Sequence, residues 1–126
     1  MSTQDKIKVM IVDDSVIIRQ MIKKYLSELN IEIVGTAGDG KSAIQLFKET
    51  QPDVVTLDIT MPKVDGFTVL EEMVKENSNS KIMVITALTD KATGMRAIKT
   101  GAKGYLSKPF TPEKLRASFD RLISVN

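Results

Sequence analysis

The stretch Asp53-Val54-Val55-Thr56-Leu57-Asp58-Ile59-Thr60-Met61-Pro62-Lys63-Val64-Asp65-Gly66 decides the fold. Val54 to Leu57 is short, apolar and rich in β-branched residues, the pattern of a strand buried on both faces. Asp58 then places a carboxylate where the strand runs out. A loop follows, and Asp65-Gly66 reads as a turn and helix start with no chemical role. Three other strand-like runs end in polar residues: Val9-Met10-Ile11-Val12 in Asp13-Asp14, Ile82-Met83-Val84-Ile85 in Thr86, and Gly104-Tyr105-Leu106-Ser107 in Lys108.

Helical patterns fill the intervals. Ser15 or Asp14 can cap a first helix with apolar positions Ile18, Met21, Ile22, Tyr25, Leu26 and Leu29, ended by Asn30. Ile31 to Ala37 is the next strand, Gly38-Asp39-Gly40 a turn, and Ala43, Ile44, Leu46 and Phe47 mark a second helix stopped by Pro52. A third helix starts at Val64 or Asp65 and runs to Glu76, with Phe67, Val69, Leu70 and Met73 inward. The fourth, Asp90 to about Thr100, is weak: Gly94 costs it about 1 kcal/mol against alanine, and its anchors are Met95, Ala97 and Ile98. Gly101 caps it before the last strand, Lys103 to Ser107. Thr111 and Pro112 open the final helix, whose buried stripe is Leu115, Phe119, Leu122 and Ile123.

Five β-then-α units with short connections predict an α/β fold, a parallel sheet covered by helices on both faces. Five units are too few for an eight-stranded barrel. The expectation is therefore a doubly wound open five-stranded sheet with five helices, in the flavodoxin-like order 2-1-3-4-5. Ligands bind such sheets at the carboxyl ends of the strands. Four strands end there in suggestive residues. The second, ending in Ala37-Gly38, belongs at the rim.

The 126 residues fit a single domain, 1–126, without room for an effector domain. With no cysteine and no histidine, thiolate chemistry, imidazole metal ligation and a phosphohistidine on this chain are excluded. The net charge of +2 is small and the basic residues are dispersed, so no nucleic-acid site is expected. The polar N-terminus lacks a signal-peptide pattern, and no apolar run approaches the roughly 20 residues that span a bilayer. A cytoplasmic protein without membrane insertion is expected.

If the strand ends converge, Asp13, Asp14 and Asp58 repel one another unless a cation intervenes. Lys108 offsets part of that repulsion. A hard divalent ion offsets more, and the all-oxygen donor set points to magnesium. Asp58 is then an ionised nucleophile for an electrophilic phosphorus. Thr86 and backbone N–H groups of the adjoining loops can hold phosphoryl oxygens, since phosphoryl transfer chiefly requires positioning and charge neutralisation.

The ordered set Asp13-Asp14, Asp58 with Met61-Pro62 and Asp65-Gly66, Thr86-Ala87 and Lys108-Pro109-Phe110 resembles the receiver domains of two-component response regulators, across essentially the whole chain. The resemblance implies that Asp58 accepts a phosphoryl group from a phosphohistidine on a histidine kinase. It implies magnesium, with manganese a substitute, on Asp14, Asp58, the Thr60 backbone carbonyl and Asp13, the last directly or through water. Lys108, Thr86 and the Ala87 backbone N–H would contact the phosphoryl group, and the Lys108–Pro109 bond would be cis. Thr86 and Tyr105 would form a switch that alters the face of the fourth helix, fifth strand and fifth helix. Lys91, Lys99, Lys103 and Lys114 make that face basic, suiting an acidic partner segment.

Within the family the resemblance is to stand-alone chemotaxis receivers, non-enzymic signalling proteins that act on the flagellar motor switch. A single-domain shuttle passing the group to a histidine phosphotransfer protein is the alternative. Thr60 and Leu88 occupy the positions that tune dephosphorylation. Neither offers the amide or acid found there in the enteric chemotaxis form, so slow self-dephosphorylation and a separate phosphatase are expected; the chain is also expected to be a monomer.

Singly, these residues have plainer meanings. Asp13-Asp14 could cap a helix, Lys108 could be a solvated lysine, Thr86 a strand-end hydroxyl and Tyr105 a half-buried aromatic. Their joint occurrence at one sheet edge favours chemistry. An aspartyl-nucleophile phosphatase would need an acid at Thr60. A flavin-binding relative would need a hydroxyl-rich and glycine-rich loop in place of Asp13-Asp14-Ser15.

Overall fold

The computed structural model describes residues 6–61, 65–88 and 90–124. Strands β1 (Ile7–Val12), β2 (Ile31–Ala37), β3 (Val54–Leu57), β4 (Lys81–Thr86) and β5 (Gly104–Ser107) alternate with helices α1 (Val16–Leu26), α2 (Gly40–Thr50), α3 (Gly66–Glu76), α4 (Lys91–Thr100) and α5 (Pro112–Ile123). The strands are parallel, in the order β2-β1-β3-β4-β5, as the alternation predicts.

Alternation along the central strands divides the core in two. Met10, Val12, Val55, Leu57, Ile82 and Val84 face α2, α3 and α4, where Phe47, Leu70, Met73 and Ala97 meet them. Val9, Ile11, Val54, Met83 and Ile85 face Ile22 and Leu26 of α1 and Leu115, Phe119 and Leu122 of α5. Apolar side chains on both faces are what a parallel sheet between two helical layers requires. β2 lies at the rim, only partly buried, with a register irregularity opposite Val9 and Met10.

Each helix begins on a side-chain cap. Ser15, Asp39, Asp65, Asp90 and Thr111 accept hydrogen bonds from the backbone N–H groups of Ile18, Ser42, Phe67, Thr93 and Lys114. Such caps satisfy donors that a helix start otherwise leaves unpaired. Ser15, not Asp14, caps α1, which leaves Asp14 free of a capping role.

Three expectations need correction. α1 ends at Leu26 instead of near Asn30, and Leu29 packs against the core from the turn beyond it. In α4, Met95 and Ile98 are 58% and 50% exposed, so Ala97 is the one fully buried residue of that helix. Ile123, in the last turn of α5, is also exposed and does not extend the buried stripe. The readings of Pro62, of Val64 as a helix start and of the polar N-terminus before Lys6 lie outside the described residues.

Candidate functional site

Hydrogen bonds of the sheet continue one residue past the strands and fix the site. The N–H of Asp13 donates to Ala37 O (3.0 Å), that of Asp58 to Val12 O (3.0 Å) and that of Lys108 to Thr86 O (2.8 Å). All three side chains therefore leave the backbone at the same carboxyl edge. Carboxylate oxygens of Asp13, Asp14 and Asp58 lie within 4.8 Å of one another. Asp13 and Asp58 are 1% and 3% exposed, while Asp14 opens to solvent.

Lys108 closes the site from β5. Its Nζ donates to Asp13 Oδ2 at 2.8 Å and to Asp58 Oδ2 at 3.1 Å. Burial pulls the ammonium toward deprotonation, but the hydrogen bond to Asp13 and the charges of Asp58 and Asp13 outweigh it. The pKa is held above the ordinary lysine value, so the side chain stays cationic. The Lys108–Pro109 bond is cis.

Thr60 holds the other oxygen of Asp58. Its N–H and its hydroxyl both donate to Oδ1, at 2.9 and 2.6 Å. Asp58 is thus gripped on both oxygens, with Lys108 on one and Thr60 on the other. Behind this loop lies Gly66. A Cβ there would stand 2.3 Å from Ile59 Cα and 2.4 Å from Ile59 O. Gly66 therefore serves a close backbone approach that seats the Asp58 loop on α3, besides starting the helix.

Thr86 and Tyr105 form a second cluster beside the first. Thr86 is fully buried, and its hydroxyl accepts from the Leu88 N–H at 3.2 Å instead of reaching the acids. The Tyr105 hydroxyl donates to the Leu88 carbonyl. Desolvation, then the charge of Asp90, raises the Tyr105 pKa above that of a free tyrosine and keeps this donor protonated. The Leu88 backbone consequently joins Thr86 to Tyr105, a connection that side-chain reading alone could not reveal. Ala87 and the Leu88 side chain are exposed between the two clusters.

Arg19 joins the site without any sequence signal to mark it. From α1 its Nη1 donates to the main-chain carbonyl of Asp13. Nothing in the spacing of that helix singles it out.

Chemically, the site offers a hard anionic oxygen cluster able to hold a metal ion, a carboxylate with both oxygens oriented, and a neighbouring ammonium. Among the described residues no other group of three acids, cysteines or histidines comes together in this way.

A family model described as the response regulator receiver domain matches residues 9–120. The chain is 37% identical to the chemotaxis protein CheY of Thermotoga maritima over 91% of its own length and 96% of that protein. It is 43% identical to ycf27 of Guillardia theta, named a probable transcriptional regulator, over 90% of its own length but 44% of the relative's. Among solved structures it resembles CheY in the CheX-CheY-BeF3-Mg complex of Borrelia burgdorferi, with a TM-score of 0.90, 32% identity, and coverage of 95% of this chain and 90% of that one.

Proposed function

This chain belongs to the response regulator receiver domain family, and from that premise we propose that Asp58 is its phosphoacceptor, charged by a histidine kinase with magnesium in the Asp13, Asp14 and Asp58 cluster. The observation that carries the reading is the grip on Asp58, with Lys108 on one oxygen, Thr60 on the other and two further acids alongside.

An Asp58 oxygen attacks the phosphorus of a phosphohistidine. The new O–P bond forms as the P–N bond breaks, and the electron pair returns to the imidazole of the donor. Lys108 neutralises charge on the acceptor side, and its hydrogen bond to Asp13 keeps it within reach of Asp58. Asp13, Asp14, Asp58 and the Thr60 carbonyl would hold the divalent ion, or manganese in its place, which supplies further charge neutralisation to the phosphoryl oxygens. Thr86 and the Ala87 N–H receive the remaining oxygens.

Output follows from Thr86. The Thr86 hydroxyl accepts from the Leu88 N–H and keeps its own O–H to donate to a phosphoryl oxygen, so a turn of Thr86 toward that oxygen would pull on the Leu88 backbone, whose carbonyl is held by Tyr105. The switch therefore acts through one peptide segment on the face of α4, β5 and α5, shifting populations of its conformations. That face carries an apolar groove of about 400 Å³ lined by Gly94, Met95, Ile98, Lys99 and Tyr105. Lys91, Lys99, Lys103 and Lys114 are exposed nearby and favour an acidic segment. By kinship with the chemotaxis relatives, the occupant is the flagellar motor switch, met in the cytoplasm by a monomer. The signal decays slowly without a separate phosphatase, because Thr60 is engaged with Asp58 and Leu88 offers no polar atom on its side chain.

The test is capture of partners with and without beryllofluoride and Mg2+. The motor-switch protein should be retained only with the phosphoryl mimic. Equal retention, or transfer of the phosphoryl group onward to a histidine phosphotransfer protein, would overturn the output assignment.

A further inference from the structure

We infer that Arg19 is a positioning residue for the acidic cluster, setting the geometry of the Asp13–Asp14 peptide and through it the site's affinity for a divalent cation. The inference rests on the reading of Asp13, Asp14 and Asp58 as a metal site.

Every hydrogen-bonding group of Asp13 is engaged. Its N–H donates to Ala37 O, its Oδ1 accepts from the Ser15 N–H (2.9 Å), its Oδ2 from Lys108, and its carbonyl from Arg19. The carbonyl contact reaches beyond Asp13. A peptide unit is planar, so fixing this carbonyl also fixes the direction in which the chain enters Asp14.

Asp14 needs that help. Its carboxylate has no hydrogen bond or ion pair among the described residues, yet it stands within 4.8 Å of the other two acids. Only its main chain holds it there, against like charge. The Arg19 guanidinium braces that main chain from the side of β2.

The space Arg19 occupies is kept open by Gly38. A Cβ on Gly38 would come 3.0 Å from Arg19 Nη1 and 3.8 Å from the Asp13 carbonyl oxygen. The guanidinium therefore fills the gap between the end of β1 and the turn after β2, where a Cβ on Gly38 would press on it.

Two effects of Arg19 on cation binding oppose each other. Its positive charge disfavours a second cation, whereas its hydrogen bond pre-orients two ligands. Partners that orient metal ligands typically contribute a factor of about 10 to 100 in affinity. Positioning is the larger effect here, because the bond is made directly to the peptide joining two ligands while the charge is spread over a solvent-contacting guanidinium.

Calorimetric titration of Mg2+ into the whole chain tests this. Arg19→Met should weaken binding about tenfold. Arg19→Lys keeps the charge and loses the fork, and should recover only part of that loss. Gly38→Ala should weaken binding by a smaller factor and have no further effect when added to Arg19→Met. If the wild type binds no Mg2+, the metal-site reading fails and the inference with it. If the wild type binds and folded Arg19→Met binds equally well or more tightly, the Arg19 inference alone is overturned. Should Arg19→Met not fold, unchanged affinity in Gly38→Ala and Arg19→Lys would overturn it just as well.

Discussion

Asp14→Asn should stabilise the chain without divalent ions and destabilise it, relative to wild type, with them. Carboxylate oxygens of Asp13, Asp14 and Asp58 lie within 4.8 Å, and the cation beside them, Lys108, spends its contacts on Asp13 and Asp58. At 4.8 Å a like-charge pair costs about 3.5 kcal/mol at an effective dielectric of 20 and about 0.9 kcal/mol at that of water. Asp14 is exposed, so the lower figure governs. Its two repulsions then total about 2 kcal/mol, and an attraction to Lys108 equal to one of them would leave about 1 kcal/mol. At about 2.1 cal/mol/K per residue, 126 residues convert this to a Tm rise of about 4 °C. With Mg2+ at 100 times its Kd, wild type gains about 2.7 kcal/mol and the variant far less, so the order inverts. Thermal unfolding by circular dichroism in EDTA and in Mg2+, with ionic strength matched, reads both halves. A variant less stable than wild type in EDTA, or an equal gain from Mg2+ in both chains, would refute the reasoning.

Gly66→Ala would drive a Cβ into Ile59 backbone atoms at 2.3 and 2.4 Å and should cost about 3 kcal/mol in denaturant unfolding. Gly104→Ala is the control. Its nearest neighbours are side-chain atoms at 3.4 Å, and a comparable cost there would show that the Ile59 contact is not the cause. Lys108 has a folded pKa raised above 10.5, so its stabilisation is complete below that value and is lost as pH rises through the folded pKa. Urea unfolding of wild type and Lys108→Met should therefore differ most at neutral pH and converge in strong alkali, and a gap constant with pH would contradict this. Thr60→Asn with Leu88→Glu should speed loss of phosphate from the labelled protein, and an unchanged lifetime would show that these positions do not limit it.

Much of this arrangement could be read directly. Buried parallel strands write themselves as contiguous apolar runs, so Val9 to Val12, Val54 to Leu57 and Ile82 to Ile85 were visible, and Asp58 stood out because it ended one. Helix α4 was harder. Periodicity identifies the apolar residues of a helix but not which of them meet the sheet. Here Ala97 makes the buried contact and Gly94 lies against the Tyr105 ring, while the larger Met95 and Ile98 turn outward. Contacts made by backbone were illegible for a different reason. The Leu88 backbone joins Thr86 to Tyr105 through its N–H and its carbonyl, and Arg19 grips a carbonyl, neither of which depends on a recognisable side-chain pattern. Thr60 stands out in the sequence only for lacking an amide or acid, and the folded loop is what aims its hydroxyl at Asp58.

On the proposed function, Asp58 accepts the phosphoryl group with the help of a divalent cation. Intact-mass spectrometry after incubation with acetyl phosphate and Mg2+ measures this directly. Wild type should gain one phosphoryl group, the gain should vanish when Mg2+ is chelated, and Asp58→Asn should gain none. Labelling that persists in Asp58→Asn would contradict the assignment of the phosphoacceptor.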